Sequence, residues 1–124
     1  MEYTTFGKTG MRVSVAGLGC GGGSRLGKNR GMSKAESVAL VRTAMDLGVN
    51  YLDTAHNYTT EDIVGEAIKA VPRDQIYVGT KSIIRRDGKM LSVEQIVASL
   101  DNSLRELDPD YVDVFQLHAI NPET

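Results

Sequence analysis

Val49-Asn50-Tyr51-Leu52-Asp53 is a short run rich in β-branched and aromatic residues that ends on a carboxylate, and its flanks decide the fold. Upstream, Ser33-Lys34-Ala35-Glu36 fits a capping box, with Ser33 at the N-cap and Glu36 at N3. Val38, Val41 and Met45 follow as an apolar stripe at helical spacing, Leu40, Ala44 and Leu47 widen it, and Gly48 suits the C′ position. Downstream, Ile63, Val64, Ala67, Ile68 and Val71 predict a second helix from about Thr60 to Ala70, stopped by Pro72. Ile76-Tyr77-Val78-Gly79-Thr80-Lys81 is the next strand, and it ends on a lysine. A polar loop over 82–90 carries Arg85, Arg86 and Lys89.

A second capping box, Ser92-Val93-Glu94-Gln95, opens a third helix. Its stripe of Val93, Ile96, Val97, Leu100, Leu104 and Leu107 reads as packing against the sheet, and Asp108-Pro109 ends it. The run from Tyr111 to His118 is a further strand, ending on a histidine. At the other end, Tyr3–Phe6 and Met11–Val15 flank Gly7-Lys8-Thr9-Gly10 as a β-hairpin. Its second arm runs into a first barrel strand over 16–19, followed by a glycine-rich loop from Gly19 to Gly31.

Strands alternating with amphipathic helices imply an α/β fold, with a parallel sheet joined by right-handed crossovers. The pattern fits the N-terminal half of a (β/α)8 TIM barrel: a hairpin, four strands and three helices forming one domain over 1–124. A barrel of this type takes about 250 residues. The expectation is therefore that the sequence belongs to a longer protein, and that these residues alone leave the barrel open.

Composition narrows the function classes. With 14 basic and 16 acidic residues the net charge is −2, so no basic excess points to nucleic acid or to a membrane surface. One cysteine, Cys20, permits no intrachain disulfide, and with two histidines it builds no Cys-rich zinc site; no metal is expected. No apolar run is long enough to span a bilayer, the N-terminus lacks a signal-peptide core, and a cytoplasmic location is expected.

The chemistry lies at the strand ends. In a parallel α/β sheet the carboxyl ends of all strands share one edge, which in a barrel is the catalytic face. Asp53, Lys81 and His118 would converge there, with Tyr58 in the loop five residues beyond Asp53. A phenol is by itself too weak an acid to exchange protons readily at neutral pH, and a neighbouring ammonium favours its ionised form. Asp53 would hold the lysine, and His118 would donate to a carbonyl oxygen. Such a set aims a general acid at an oxygen that gains negative charge, as carbonyl reduction requires when a cofactor delivers hydride to the carbon.

Gly17-Leu18-Gly19-Cys20-Gly21-Gly22 also satisfies G-x-G-x-x-G, but the next helix cap, Ser33, lies eleven residues past Gly22 and the acidic strand end, Asp53, lies 31 past it. A dinucleotide fingerprint requires a helix opening at the third glycine and an acid about 20 residues on. A flexible loop that admits a ligand close to the backbone is the better reading. His56 reads as a loop residue beside the site, Cys20 as a small packed residue, and Arg85, Arg86 and Lys89 as a solvated loop.

Asp53-Thr54-Ala55-His56-Asn57-Tyr58, Gly79-Thr80-Lys81, and Asp110-Tyr111-Val112-Asp113 leading into Gln116-Leu117-His118 resemble the three signatures of the aldo-keto reductase family. The opening from Phe6 to Ser14 resembles the hairpin that covers the bottom of those barrels. The resemblance implies an NADP(H)-dependent oxidoreductase acting on a small carbonyl or alcohol substrate. Tyr58 would be the proton donor, Lys81 and Asp53 would tune it, and His118 would orient the carbonyl. Gly19, Cys20 and Gly21, with Asp53, would lie against the nicotinamide and its ribose. In one departure, Thr59-Thr60-Glu61 stands a residue shorter than the family pattern and shifts the start of the second helix. The family's remaining cofactor contacts fall on later strands. Two other functions are open: a cofactor-sensing regulatory subunit of the same fold, or a truncated chain that is inactive alone and self-associates through the open barrel edge.

Overall fold

The computed structural model describes residues 1–121. Strands β1 (Tyr3–Thr5) and β2 (Arg12–Ser14) form the expected antiparallel hairpin, closed by the Phe6 N–H donating to Met11 O at 2.8 Å. The arms are shorter than the apolar runs suggest, because the turn takes Phe6 and Met11 for itself. Asn50 sews the hairpin to the sheet: its Nδ2 donates to Arg12 O, and its Oδ1 accepts from the Ser14 N–H at 2.6 Å.

Four parallel strands follow in the order β3 (Leu18–Gly19), β4 (Tyr51–Asp53), β5 (Tyr77–Ile83) and β8 (Val114–His118). Helices α1 (Lys34–Asp46), α2 (Glu61–Ile68) and α3 (Val93–Leu107) connect them. This is half of a (β/α)8 barrel. The helix-facing side of the sheet, including Leu52 and Val78, packs on Val41, Val64, Ala67 and Leu107 to form the core. The opposite side carries the polar chemistry.

Both capping boxes form with the expected partners, Ser33 with Glu36 and Ser92 with Gln95, and Gly48 takes the left-handed C′ position at φ 100°. Several expected boundaries move. The first barrel strand pairs only over 18–19, not 16–19, and the fourth begins at Val114, not Tyr111. Asp113, just before it, is occupied otherwise: its carboxylate accepts from Arg73 Nη2 and from the Val78 N–H, both at 2.8 Å. Helix α2 is two residues shorter at its C-terminus than the apolar stripe predicts. Strand β5 runs past Lys81 to Ile83, since β8 offers it partners as far as His118. The polar loop contains a second small hairpin, β6 (Arg85–Arg86) and β7 (Lys89–Met90). Asp87 and Gly88 both have positive φ, as a two-residue hairpin turn requires.

Two helix faces differ from expectation. On α1, Leu40 and Leu47 are exposed instead of widening the stripe. At 100° per residue they stand about 160–180° around the helix from Val38. On α3, the predicted stripe is not simply core. Leu107 is buried, but Val93 and Val97 are 71% and 51% exposed, and the residues turned inward include Ser99 and Ser103. At the C-terminal end of α3, α2 approaches closely: a Cβ on Gly65 would stand 2.6 Å from Leu107 O, so only a glycine lets the two backbones meet there.

Candidate active site

Strand register gathers three of the four site residues. Gly19, Asp53, Gly79 and Val114 stand level across the sheet; Lys81 is two residues beyond Gly79, and His118 four beyond Val114. All offsets are even, so Asp53, Lys81 and His118 point to the same side. Lys81 Nζ donates to Asp53 Oδ2 at 2.6 Å and to Thr54 O at 2.9 Å. The Lys81 side chain is 11% exposed and that of Asp53 34%, which leaves the carboxylate edge open for a ligand.

Tyr58 reaches the same point from the 3-10 turn His56–Tyr58. Its Oη lies 3.5 Å from His118 Nε2, the long limit of a hydrogen bond, and the two rings meet edge-on at 82°. Lys81 Nζ sits 5.1 Å from the Tyr58 ring centroid. All four residues singled out from the sequence are therefore assembled.

The shortened segment after Tyr58 has a clear role in placing it. Thr59 adopts a left-handed conformation at φ 59°. Thr60, fully buried, hydrogen-bonds Cys20 O and the Thr54 hydroxyl, each at 3.0 Å. Glu61, at the first turn of α2, accepts from the Thr80 hydroxyl. A buried polar network thus ties the end of the tyrosine turn to β4 and β5.

The glycine-rich loop closes over the other side. A Cβ on Gly21 would stand 2.6 Å from the Tyr58 ring, so only glycine lets the loop backbone lie against that tyrosine. Cys20, whose N–H donates to Asp53 O at 2.8 Å, is fully buried. Burial, then the Asp53 carboxylate, pushes its thiol up to about 12. Gly19 has open space where a side chain would stand. Tyr51, also on the inward side of the sheet, is raised above its ordinary value by burial, with Asp53 and Asp113 adding to it. His56 lines a polar cleft with Lys28, Glu61 and Glu106, apart from the tetrad.

Residues Arg25 and Lys28 were not singled out from the sequence. Arg25 Nη1 donates to Asn57 O and Lys28 Nζ to Thr59 O, both at 2.9 Å, and the Arg25 guanidinium lies 5.0 Å from the Tyr58 ring centroid. No spacing rule joins them to a residue more than thirty positions away. Among the described residues no three His, Cys, Asp or Glu side chains form a metal site, and no helix is long and apolar enough to cross a membrane.

Known proteins share this sequence and fold. The model of the aldo/keto reductase family matches residues 18–124. Aldo-keto reductase YhdN of Bacillus subtilis (strain 168) is 36% identical over 132 aligned residues, covering 98% of this chain and 39% of that protein. A probable voltage-gated potassium channel subunit beta of Oryza sativa subsp. japonica is also 36% identical, covering 100% of this chain and 39% of its own length. Among solved structures, the thermostable aldo-keto reductase Tm1743 bound to the inhibitor epalrestat superposes with a TM-score of 0.78 at 34% identity, over 100% of this chain and 45% of that one. The Bombyx mori aldo-keto reductase in complex with NADP gives 0.72 at 28% identity, over 94% and 38%. The chain spans about two fifths of the length of these relatives. Matched over nearly all its length, this chain belongs to the aldo/keto reductase family.

Proposed function

We propose that these residues carry the acid–base apparatus of an NADPH-dependent reductase of aldehydes and ketones. The observation that supports it best is the Tyr58 hydroxyl beside His118 Nε2, with the Lys81–Asp53 ion pair under the same ring. In this reading Tyr58 Oη gives a proton to the carbonyl oxygen as negative charge develops there. His118 Nε2 orients that oxygen. Lys81 keeps a positive charge near the phenol, and its hydrogen bonds to Asp53 and to Thr54 O prevent it from wandering.

The residues present suit the nicotinamide end of NADP(H), which supplies the hydride when bound. Gly19 leaves its backbone open to approach. Asp53 engages Lys81 through Oδ2 and keeps Oδ1 for a ribose hydroxyl. Gly21 continues that wall, with Cys20 fully buried behind it and not exposed to a ligand, and a family neighbour is in complex with NADP.

Tyr58→Phe in the full-length protein is expected to lower kcat by about 10²–10⁴-fold, the usual worth of a positioned general acid, with NADPH binding retained. Turnover of simple aldehydes at the parental rate would overturn the assignment. The resemblance to a channel subunit keeps a regulatory, cofactor-sensing reading in view. NADPH binding with no turnover of any aldehyde or ketone by the unmutated protein would favour that reading.

A further inference from the structure

The glycine-rich loop spends two cations on a single turn. Arg25 and Lys28 donate to Asn57 O and Thr59 O, the carbonyls on either side of Tyr58. Arg25 also lies over the Tyr58 ring, and it joins no carboxylate in an ion pair among the described residues. No ion pair among the described residues competes with the tyrosine turn for the guanidinium.

The loop is shaped to put it there. Arg25 and Leu26 have φ of 50° and 57°, left-handed conformations that side-chain-bearing residues rarely adopt, and Gly27 continues them. Leu26 is buried in the core and anchors the bend. Asn29 braces it from behind, through its N–H to Ser24 O and its Nδ2 to Gly23 O. A strained, doubly braced bend whose outcome is a guanidinium stacked on one tyrosine is the pattern expected of a positioning device.

We propose that Arg25, assisted by Lys28, is a positioning residue for proton transfer. It holds the Tyr58 turn between its neighbouring carbonyls and keeps the ring at the distance from which its hydroxyl reaches the carbonyl oxygen. This rests on the reductase reading above. Arginine suits the task better than lysine, because one planar fork donates a hydrogen bond and stacks on an aromatic face at once.

A double-mutant cycle on the full-length protein tests it. Arg25→Leu is expected to lower kcat about 10–100-fold, the range for displacing a catalytic group by a fraction of its reach, with KM and the NADPH dissociation constant unchanged. Arg25→Lys should recover part of the loss, and Lys28→Met should produce a smaller loss. In a Tyr58→Phe background, Arg25→Leu should change the residual turnover by less than about twofold, because the group it positions is gone. An undiminished kcat in Arg25→Leu, or the same fall in both backgrounds, would overturn the proposal. So would a rise in KM restricted to anionic substrates, which would make Arg25 an anion subsite instead. Should Arg25→Leu fail to fold, Arg25→Lys in the two backgrounds carries the same comparison. If Tyr58→Phe alone leaves turnover intact, the reductase reading falls and the proposal falls with it; failure of the Arg25 series alone leaves that reading standing.

Discussion

Cys20 shows how one backbone position sets the chemistry of a side chain. Its thiol is fully buried, and burial first, then the Asp53 carboxylate, pushes it from an ordinary 9.0 up to about 12. The folded state thus holds the thiol proton more tightly than the unfolded chain. Stability is unaffected by this group below pH 9 and falls as pH rises from about 9 toward 12. Urea midpoints at pH 7 and pH 10.5 should show that loss in the parent and a smaller one in Cys20→Ala. At pH 8 the native thiol should resist a disulfide reagent and react once the chain is unfolded. The tetrad was legible from the sequence because each member sits close to the carboxyl end of a strand or in the loop just beyond one. Arg25 and Lys28 were not, because their contacts depend on a left-handed bend that has no local signature outside Gly27. The Thr59-Thr60-Glu61 segment looked like a shortening. Its hydrogen bonds to Cys20, Thr54 and Thr80 emerge only once three elements are in place.

At the scale of elements, the local signals held and the facing did not. Capping boxes depend on residues three apart, so Ser33 and Ser92 identified both helix starts. Which side of α3 turns inward depends on what packs against it, and at its C-terminal end that is the backbone of α2 at Gly65. The two ends of that stripe should therefore behave differently in the 124-residue chain. Leu107→Ala removes a buried side chain and should cost about 2–5 kcal/mol. Val93→Ala, at an exposed position, should stay within about 0.5 kcal/mol. Denaturant unfolding of the two variants measures both. Equal losses would mean that α3 packs with its whole stripe. The β6–β7 hairpin could have been read from Asp87-Gly88, a strong turn pair, had its flanking strands not been only two residues long and charged.

On the scale of the whole molecule, the described sheet has two free edges, β3 and β8, and an apolar flank that includes Val93, Val97, Leu117 and Ile120. Unpaired strand edges beside exposed apolar surface favour pairing with another chain. We expect the 124-residue chain, made by itself, to associate with increasing concentration in sedimentation velocity. A single monomer boundary at all concentrations would refute this. The half-barrel was legible from the alternation of strand and helix; its stagger was not, since register depends on pairing across the sheet. That stagger has a further consequence. Asp53, Lys81 and His118 climb the sheet in steps of two residues per strand, about 7 Å each. Removing one residue inside β5 ahead of Lys81, or inside β8 ahead of His118, would exchange the two faces of the strand beyond it and turn that group to the helix side. Removing two would restore the side but lower the group by a full step, out of reach of its partners. The connecting helices carry no such constraint. The arrangement of the proposed site is therefore written as a residue count within the strands, and it can survive changes in the length of what lies between them.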